Sequence, residues 1–273
     1  MLLLITDLDD TLVSQAESVV ADRYLDNFNS IWKRQLLAEN SRLVYNTGRS
    51  VTLFYELLNK KQLLLPDYLI CGVGTELYRL TPDSKLEKLH QWSDMISKDF
   101  SLEQVKLVTQ QWISCGLLRL QSDSENSDVK LSFYFDPQQL EYVQARIVPN
   151  MEASLRSVHI VVSVQHGLGH LDILPAKANK GTAAIWLREY LGFPPELTVV
   201  CGDSSNDYDM FFPPTPSEVL RIAVGNCEES IRQKFLQLSK VDSHFYLASR
   251  PFAGGILEGL SHFDFVEIFC PNE

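Results

Sequence analysis

The chain has 273 residues, of which 45% are hydrophobic and 22% charged, with a formal net charge of -11. This is the composition of an ordinary globular protein, long enough for one large domain or two small ones with a full-sized core. The acidic balance argues against nucleic acid and anionic membrane as partners, and an anionic small molecule would need a local cation to offset the field.

Residues 2–6 (LLLIT) form an apolar run without alternation, the pattern of a strand covered on both faces. The run stops in DLDD, three acidic residues within four positions. Apolar positions at helical spacing (Val20, Tyr24, Phe28, Ile31, Leu36) predict a helix from about 19 to 38. RLVYNTG at 42–48 reads as a second strand closed by a turn, and SVTLFYELLNKK as a helix capped by Ser50. DYLICGVGTELY at 67–78 reads as a third strand ending in glycines. Such alternation implies βαβ units with right-handed crossovers and a parallel sheet.

The segment 79–172 differs in character. It holds a helix candidate at 99–115, strand-like VKLSFYFD at 129–136, a helix near 138–148 and strand-like SVHIVVSVQ at 157–165. This is the pattern of a separate α+β unit inserted into the first, which leaves 1–78 and 173–273 as one discontinuous core. His166 and His170 are four apart, but their Gly-containing context suits a hairpin tip better than a metal pair on a helix. PAKANKGTAAIWLREYL resumes the earlier style. LTVVCGDSSND at 197–207 is another buried strand ending in an acidic loop, VLRIAVGN at 219–226 repeats it more weakly, and FFPPTPSE at 211–218 is a loop. Trp92, Trp112 and Trp186 are expected in cores or against helices.

Five scattered cysteines (Cys71, Cys115, Cys201, Cys227, Cys270) without a CxxC pair read as reduced thiols. The opening MLLLIT has no basic region before it and runs straight into Asp7, and no stretch approaches the ~18 apolar residues of a membrane span. The expectation is a soluble, cytoplasmic protein.

Three of the strand candidates end in polar clusters: DLDD, NTGRS and GDSSND. In an open parallel sheet, ligands bind outside the carboxyl ends of the strands, so these clusters can share one crevice. Asp7 and Asp9 are two apart and point the same way on an extended backbone, while Asp10 is a turn residue. With Asp203 and Asp207 they offer several carboxylates, an oxygen-only donor set that suits Mg²⁺. A carboxylate can act as a nucleophile on phosphorus, and a second can protonate the leaving oxygen and activate water. Lys180, Thr47 and the backbone around Gly48 would hold phosphoryl oxygens. Arg49 is expected to pair with a carboxylate rather than with ligand.

DLDDT, NTG, Lys180 and GDSSND resemble, in order, the four motifs of the haloacid dehalogenase superfamily. The resemblance implies an α/β fold: a Rossmann-like core with a parallel sheet, plus an inserted α+β C2-type cap that excludes water and selects substrate. It further implies Asp7 as nucleophile, Asp9 as general acid/base, and Thr47 and Lys180 as phosphoryl-binding residues. Asp203 and Asp7 would ligate Mg²⁺ with the main-chain carbonyl of Asp9; Asp207 would support the metal, and Asn206 would position Lys180 or the phosphate.

TGRSVTLFYELL, PDYLICGVGTELY, LQSDSEN, VKLSFYFD, LDILP, NKGTA, VCGDSSND and SHFDF together look like the sucrose-phosphatases of plants and cyanobacteria. This implies Mg²⁺-dependent hydrolysis of sucrose 6-phosphate through an aspartyl phosphate, with Gln121, Glu125 and Lys130 of the cap as sugar contacts. The chain departs from that pattern with His170, where an acidic residue precedes LDILP, and Asn126, where Gln is usual; a protein without the carboxy-terminal extension of plant members is the expectation. Other glycoside phosphates (glucosylglycerol phosphate, trehalose 6-phosphate) and a catalytically silent sugar-phosphate-binding subunit are the alternatives. Association with sucrose-phosphate synthase, which makes the substrate, is the partner expectation.

Overall fold

A computed structural model describes residues 1–165, 167–212 and 218–267. His166, Cys270 and the central part of the Pro-rich loop at 211–218 lie outside the described residues. Among those described, an eight-stranded sheet contains, in spatial order, Phe245–Leu247 (β12), Leu220–Ala223 (β11), Thr198–Gly202 (β10), Leu3–Thr6 (β1), Arg42–Asn46 (β2), Tyr68–Cys71 (β3), Glu76–Leu80 (β4) and Leu86–Lys88 (β5). Every pairing from β12 to β3 is parallel, and β4 and β5 extend the sheet antiparallel.

The unbroken apolar run at the start of the chain now has its cause. Leu2 and Leu4 pack on one face of the sheet with Leu25, Phe28 and Ile256, from the helices Val19–Ile31 and Phe252–His262. Leu3 and Ile5 pack on the other face with Ala183, Leu187 and Phe235, from the helices Lys180–Leu191 and Glu229–Val241. A strand between two helical layers has no solvent side on which to place polar residues.

Arg119–Leu120 (β6), Leu131–Phe135 (β7), Leu168–Pro175 (β9) and Val158–Gln165 (β8) form a second, antiparallel sheet in that order. Leu131, Phe133, Phe135, Leu171 and Ile173 pack against Val143, Ile147 and Met151 as a core of its own. The alternate residues Ser132, Tyr134, His170 and Asp172 occupy the opposite face. His170 sits within β9, paired with Tyr134 and Ser163 across the sheet.

Several expectations are corrected. The segment 67–78 is not one strand: it turns through Gly72, Val73 and Gly74, all at positive φ, and returns as β4. The β4–β5 hairpin then belongs to the large sheet, and β9 to the small one. Boundaries drawn at 78/79 and 172/173 therefore fall inside strands, because alternation along a hairpin does not tell which sheet the hairpin joins. The helix anticipated over 19–38 is α-helical only through Ile31, then continues as a π turn over Trp32–Leu36. The helix anticipated near 138–148 continues to Ser154. Trp92 is fully buried, donating its indole N–H to the Gly74 carbonyl at 3.0 Å and lying beside the half-buried Trp186. Cys71, Cys201 and Cys227 are buried thiols and Cys115 an exposed one. No described helix is long and apolar enough to cross a membrane.

Candidate functional site

β1 and β10 are adjacent and parallel, with Thr6 opposite Cys201. Asp7 continues this register, donating its backbone N–H to the Cys201 carbonyl at 3.0 Å. Residues just past the two strand ends, Asp7 and Asp203, therefore meet although they are 196 positions apart. Asp207 joins them from the turn after β10, and carboxylate oxygens of all three lie within 4.8 Å of one another, all buried. Gly202 permits the approach: a Cβ there would stand 2.5 Å from the Asp207 carboxyl carbon.

Lys180 opens the helix Lys180–Leu191, whose capping residue Asn179 accepts from Thr182 N–H at 2.7 Å. Its ammonium is 1% exposed and lies 2.9 Å from Asp7 Oδ1 and 2.7 Å from Asp207 Oδ1. It also donates to Asn206 Oδ1 at 3.1 Å, so each of its three N–H bonds has a protein acceptor. The remaining Asp207 oxygen accepts the backbone N–H groups of Asp203 and Ser204 at 3.0 and 3.2 Å. Asp203 Oδ1 accepts the Thr11 hydroxyl at 2.6 Å.

Three buried carboxylates thus face one ammonium. Burial pushes the Asp7 carboxyl well above its ordinary range; Lys180 opposes this, and the charges of Asp207 and Asp203 reinforce it. Burial, followed by the Asp207 charge, raises the Asp203 pKa to about 7 against the Thr11 hydrogen bond. Burial also works against the Lys180 charge, but Asp207 and Asp7 outweigh it and raise the ammonium above its usual value. The cluster carries surplus negative charge. A divalent cation fits it on two grounds: the donors are all oxygens, and its charge offsets the excess.

Asp9 does not join this cluster through its side chain. Both its oxygens accept from Arg49, at 2.7 Å from Nε and 2.6 Å from Nη2. The bond to Asp9 in turn raises Arg49 above its ordinary pKa against partial burial. Arg49 pairs with a carboxylate, as the sequence reading favoured. Thr47, fully buried, directly follows β2, and its hydroxyl accepts the Arg49 N–H at 3.1 Å. Gly48 follows it. Asp10 takes a positive φ of 56° and accepts the Gln15 N–H at 3.1 Å, which is turn chemistry.

The three anticipated sugar contacts lie in one stretch after β6, and each has a protein partner. Gln121 donates to the Phe133 carbonyl at 3.1 Å and sits 3.2 Å from His170 Nδ1. Lys130 lies 3.7 Å from Asp172 Oδ1. Glu125 Oε1 accepts the Ser50 hydroxyl at 3.3 Å, a contact between the small-sheet unit and the core. Asn126 bonds the Ser132 N–H and the carbonyls of Gln121 and Ser122 at 2.8–3.1 Å, fastening this stretch to β7. Its amide is engaged entirely within its own unit.

Sequence reasoning assigned no role to three groups around the site. Thr11 anchors Asp203; Asn46 donates to the Lys180 carbonyl at 2.9 Å; Asn226 donates to the Asp10 carbonyl at 2.6 Å. The first two stand within or beside the quoted motifs, so their proximity was the available signal. Asn226 follows the weaker strand β11 and carried none.

The sequence profile of the family described as sucrose-6F-phosphate phosphohydrolase matches residues 1–264. The chain is 32% identical over 266 residues to sucrose-phosphatase 1 of Nicotiana tabacum, covering 96% of this chain and 59% of the tobacco protein. It spans about three fifths of the length of such plant relatives. It is 29% identical over 263 residues to the mannosylfructose-phosphate phosphatase of Agrobacterium fabrum, covering 95% of this chain and 96% of that protein. Among solved structures, the sucrose-phosphatase of Synechocystis sp., in complex with sucrose and phosphate, superposes with a TM-score of 0.76 at 30% identity, covering 96% and 98% of the two chains. A haloacid dehalogenase-like protein of Bacillus subtilis shares the fold, with a TM-score of 0.68 at 14% identity and coverage of 95% and 90%.

Proposed function

Since the chain belongs to the sucrose-6F-phosphate phosphohydrolase family, we propose that it is a phosphoric monoester hydrolase releasing phosphate from sucrose 6-phosphate. The observation that carries this reading is the convergence of Asp7, Asp203 and Asp207 beside Lys180 at the carboxyl ends of β1 and β10.

Asp7 attacks phosphorus with a carboxylate oxygen while the bond from phosphorus to the sugar oxygen breaks. Asp9 gives a proton to that leaving oxygen. It then takes one from the water that attacks the aspartyl phosphate, which returns Asp7 and releases phosphate. Lys180, Thr47, Gly48 and Asn206 hold the phosphoryl oxygens; to do so Lys180 must share N–H bonds now spent on Asp7, Asp207 and Asn206. Asp7, Asp203 and Asp207, with the main-chain carbonyl of Asp9, would hold Mg²⁺, which when bound supplies positive charge against the phosphoryl group. Gln121, Glu125 and Lys130 read the sugar hydroxyls from the cap. The proposal places the enzyme in the cytoplasm, in association with the synthase that makes its substrate.

The test is phosphate release across sucrose 6-phosphate, glucose 6-phosphate, trehalose 6-phosphate, glucosylglycerol phosphate and mannosylfructose phosphate. The reading predicts the highest kcat/KM for sucrose 6-phosphate, and a clear preference for any other ester overturns the substrate. The second reading, another glycoside phosphate at the same site, is favoured by the Agrobacterium relative and by His170 lying against Gln121.

A further inference from the structure

Two carboxylates two residues apart are held in unlike ways. Asp7 is buried against an ammonium, whereas Asp9 has both oxygens in the fork of one guanidinium, with side chains 21% and 25% exposed for Asp9 and Arg49. A bidentate guanidinium–carboxylate pair fixes the plane of the carboxyl group as well as its place. Arg49 is itself held at both ends of its backbone. Its N–H donates to Thr47 Oγ1 at 3.1 Å, and its carbonyl accepts the Gly72 N–H at 2.9 Å from the turn after β3. The turn that carries Asp9 is held through Asp10, whose N–H donates to the Val13 carbonyl at 2.7 Å and whose carbonyl accepts from Asn226 at 2.6 Å, but among the described residues only Arg49 bonds the Asp9 carboxylate.

We propose that Arg49 is the positioning residue of Asp9: the pinned loop between β2 and the following helix aims the Asp9 carboxyl into the crevice, and Arg49 never touches the substrate. The inference rests on the reading of Asp9 as the group that moves protons in phosphate-ester hydrolysis. The guanidinium thus serves both halves of the reaction without taking part in either.

The leaving group separates this role from a structural one. p-Nitrophenolate leaves without help from an acid, so forming the aspartyl phosphate from p-nitrophenyl phosphate does not need Asp9, while its hydrolysis by water does. The experiment is a rapid-mixing assay of p-nitrophenol release with Mg²⁺ present, using the full chain, Arg49→Gln, Arg49→Lys, Asp9→Asn and the Asp9→Asn/Arg49→Gln double variant. For Arg49→Gln the burst rate is expected to stay within about threefold of the parent. Its steady-state rate is expected to fall about 10- to 100-fold, a part of the roughly 10²–10⁴-fold that a positioned acid/base group is worth. Arg49→Lys, a point charge in place of a fork, is expected to fall between them. In the Asp9→Asn background, adding Arg49→Gln is expected to change the steady state by less than about threefold, because a positioning residue has nothing left to position.

An unchanged steady state in Arg49→Gln overturns the inference. So does loss of the burst itself, or multiplication of the two single effects in the double variant; either would place Arg49 on the phosphoryl group or the ester. If Arg49→Gln does not fold, Arg49→Lys decides by the same criteria. A parent protein that releases phosphate from neither p-nitrophenyl phosphate nor sucrose 6-phosphate sinks the hydrolase reading itself, which is a different result from either.

Discussion

The strand-end cluster and the polar stretch of the cap use hydrogen bonds to different ends. At the strand ends, Asp7, Asp203, Asp207 and Lys180 are buried, with the ammonium paired to Asp7 and Asp207 and the Asp203 carboxylate bonded to Thr11, so the excess negative charge is available to a ligand. In the cap, Gln121 and Asn126 are bonded largely to the cap's own backbone, so their chemistry is already partly spent on shape. Under the proposed function, the first keeps surplus charge for catalysis and the second keeps geometry for recognition. The first is expected to fail abruptly when altered, the second gradually.

Asp7→Asn gives the largest expected effect: phosphate release below about 10⁻⁴ of the parent, with the melting profile retained. Measurable turnover by that variant removes Asp7 as nucleophile. Next comes Lys180→Met, which leaves two buried carboxylates without their cation and costs about 3–5 kcal/mol. Denaturant unfolding without Mg²⁺ measures it, and a loss under about 1 kcal/mol would mean that Asp7 and Asp207 are not held as ions by the ammonium.

The third test is pH. The folded pKa of Asp203, about 7, lies above the ordinary value of 3.8, and Asp7 is raised in the same direction. Between those values the folded, metal-free protein holds more protons than the unfolded chain. Its contribution to stability is complete below about pH 4 and lost as pH rises through about 7. Mg²⁺ needs the ionised carboxylates, so its affinity runs the opposite way and weakens by up to about tenfold per unit below pH 7 for each proton displaced. Calorimetric titrations with Mg²⁺ from about pH 5 to about pH 8 check this, and an affinity indifferent to pH would break the assignment.

On the cap side the expected effects are smaller. Gln121→Ala or Lys130→Met raises KM for the sugar phosphate about tenfold, with kcat changed much less. A pure kcat effect would move those residues out of the recognition surface. Asn126→Ala is the mildest, destabilising the protein by about 1–2 kcal/mol through the stranded Ser132 N–H, with KM rising only as far as the loop loosens.

The same contrast explains what the sequence could reveal. Apolar runs closed by acidic clusters located β1 and β10, and parallel pairing made their ends neighbours, so the convergence of Asp7, Asp203 and Asp207 was readable from the motifs. The weaker signals failed for stated physical reasons. The β3–β4 turn hid in one apolar stretch because its positive φ at Val73 has no residue signature. The cap residues could be named by resemblance, but their partners (Phe133 carbonyl, Asp172, Ser50) come from other strands and from the core. His170 illustrates the limit: its place in β9 opposite Tyr134 follows from register, which no local pattern fixes.

Under the proposed function, Asp7 carries the phosphoryl group during turnover. Acid quenching during steady-state hydrolysis of sucrose 6-phosphate with Mg²⁺, followed by peptide mass spectrometry, tests it most directly. A phosphoryl group is expected on Asp7, more abundant in Asp9→Asn. Phosphate turnover in which Asp7 is never labelled, or a label on another residue, would contradict it.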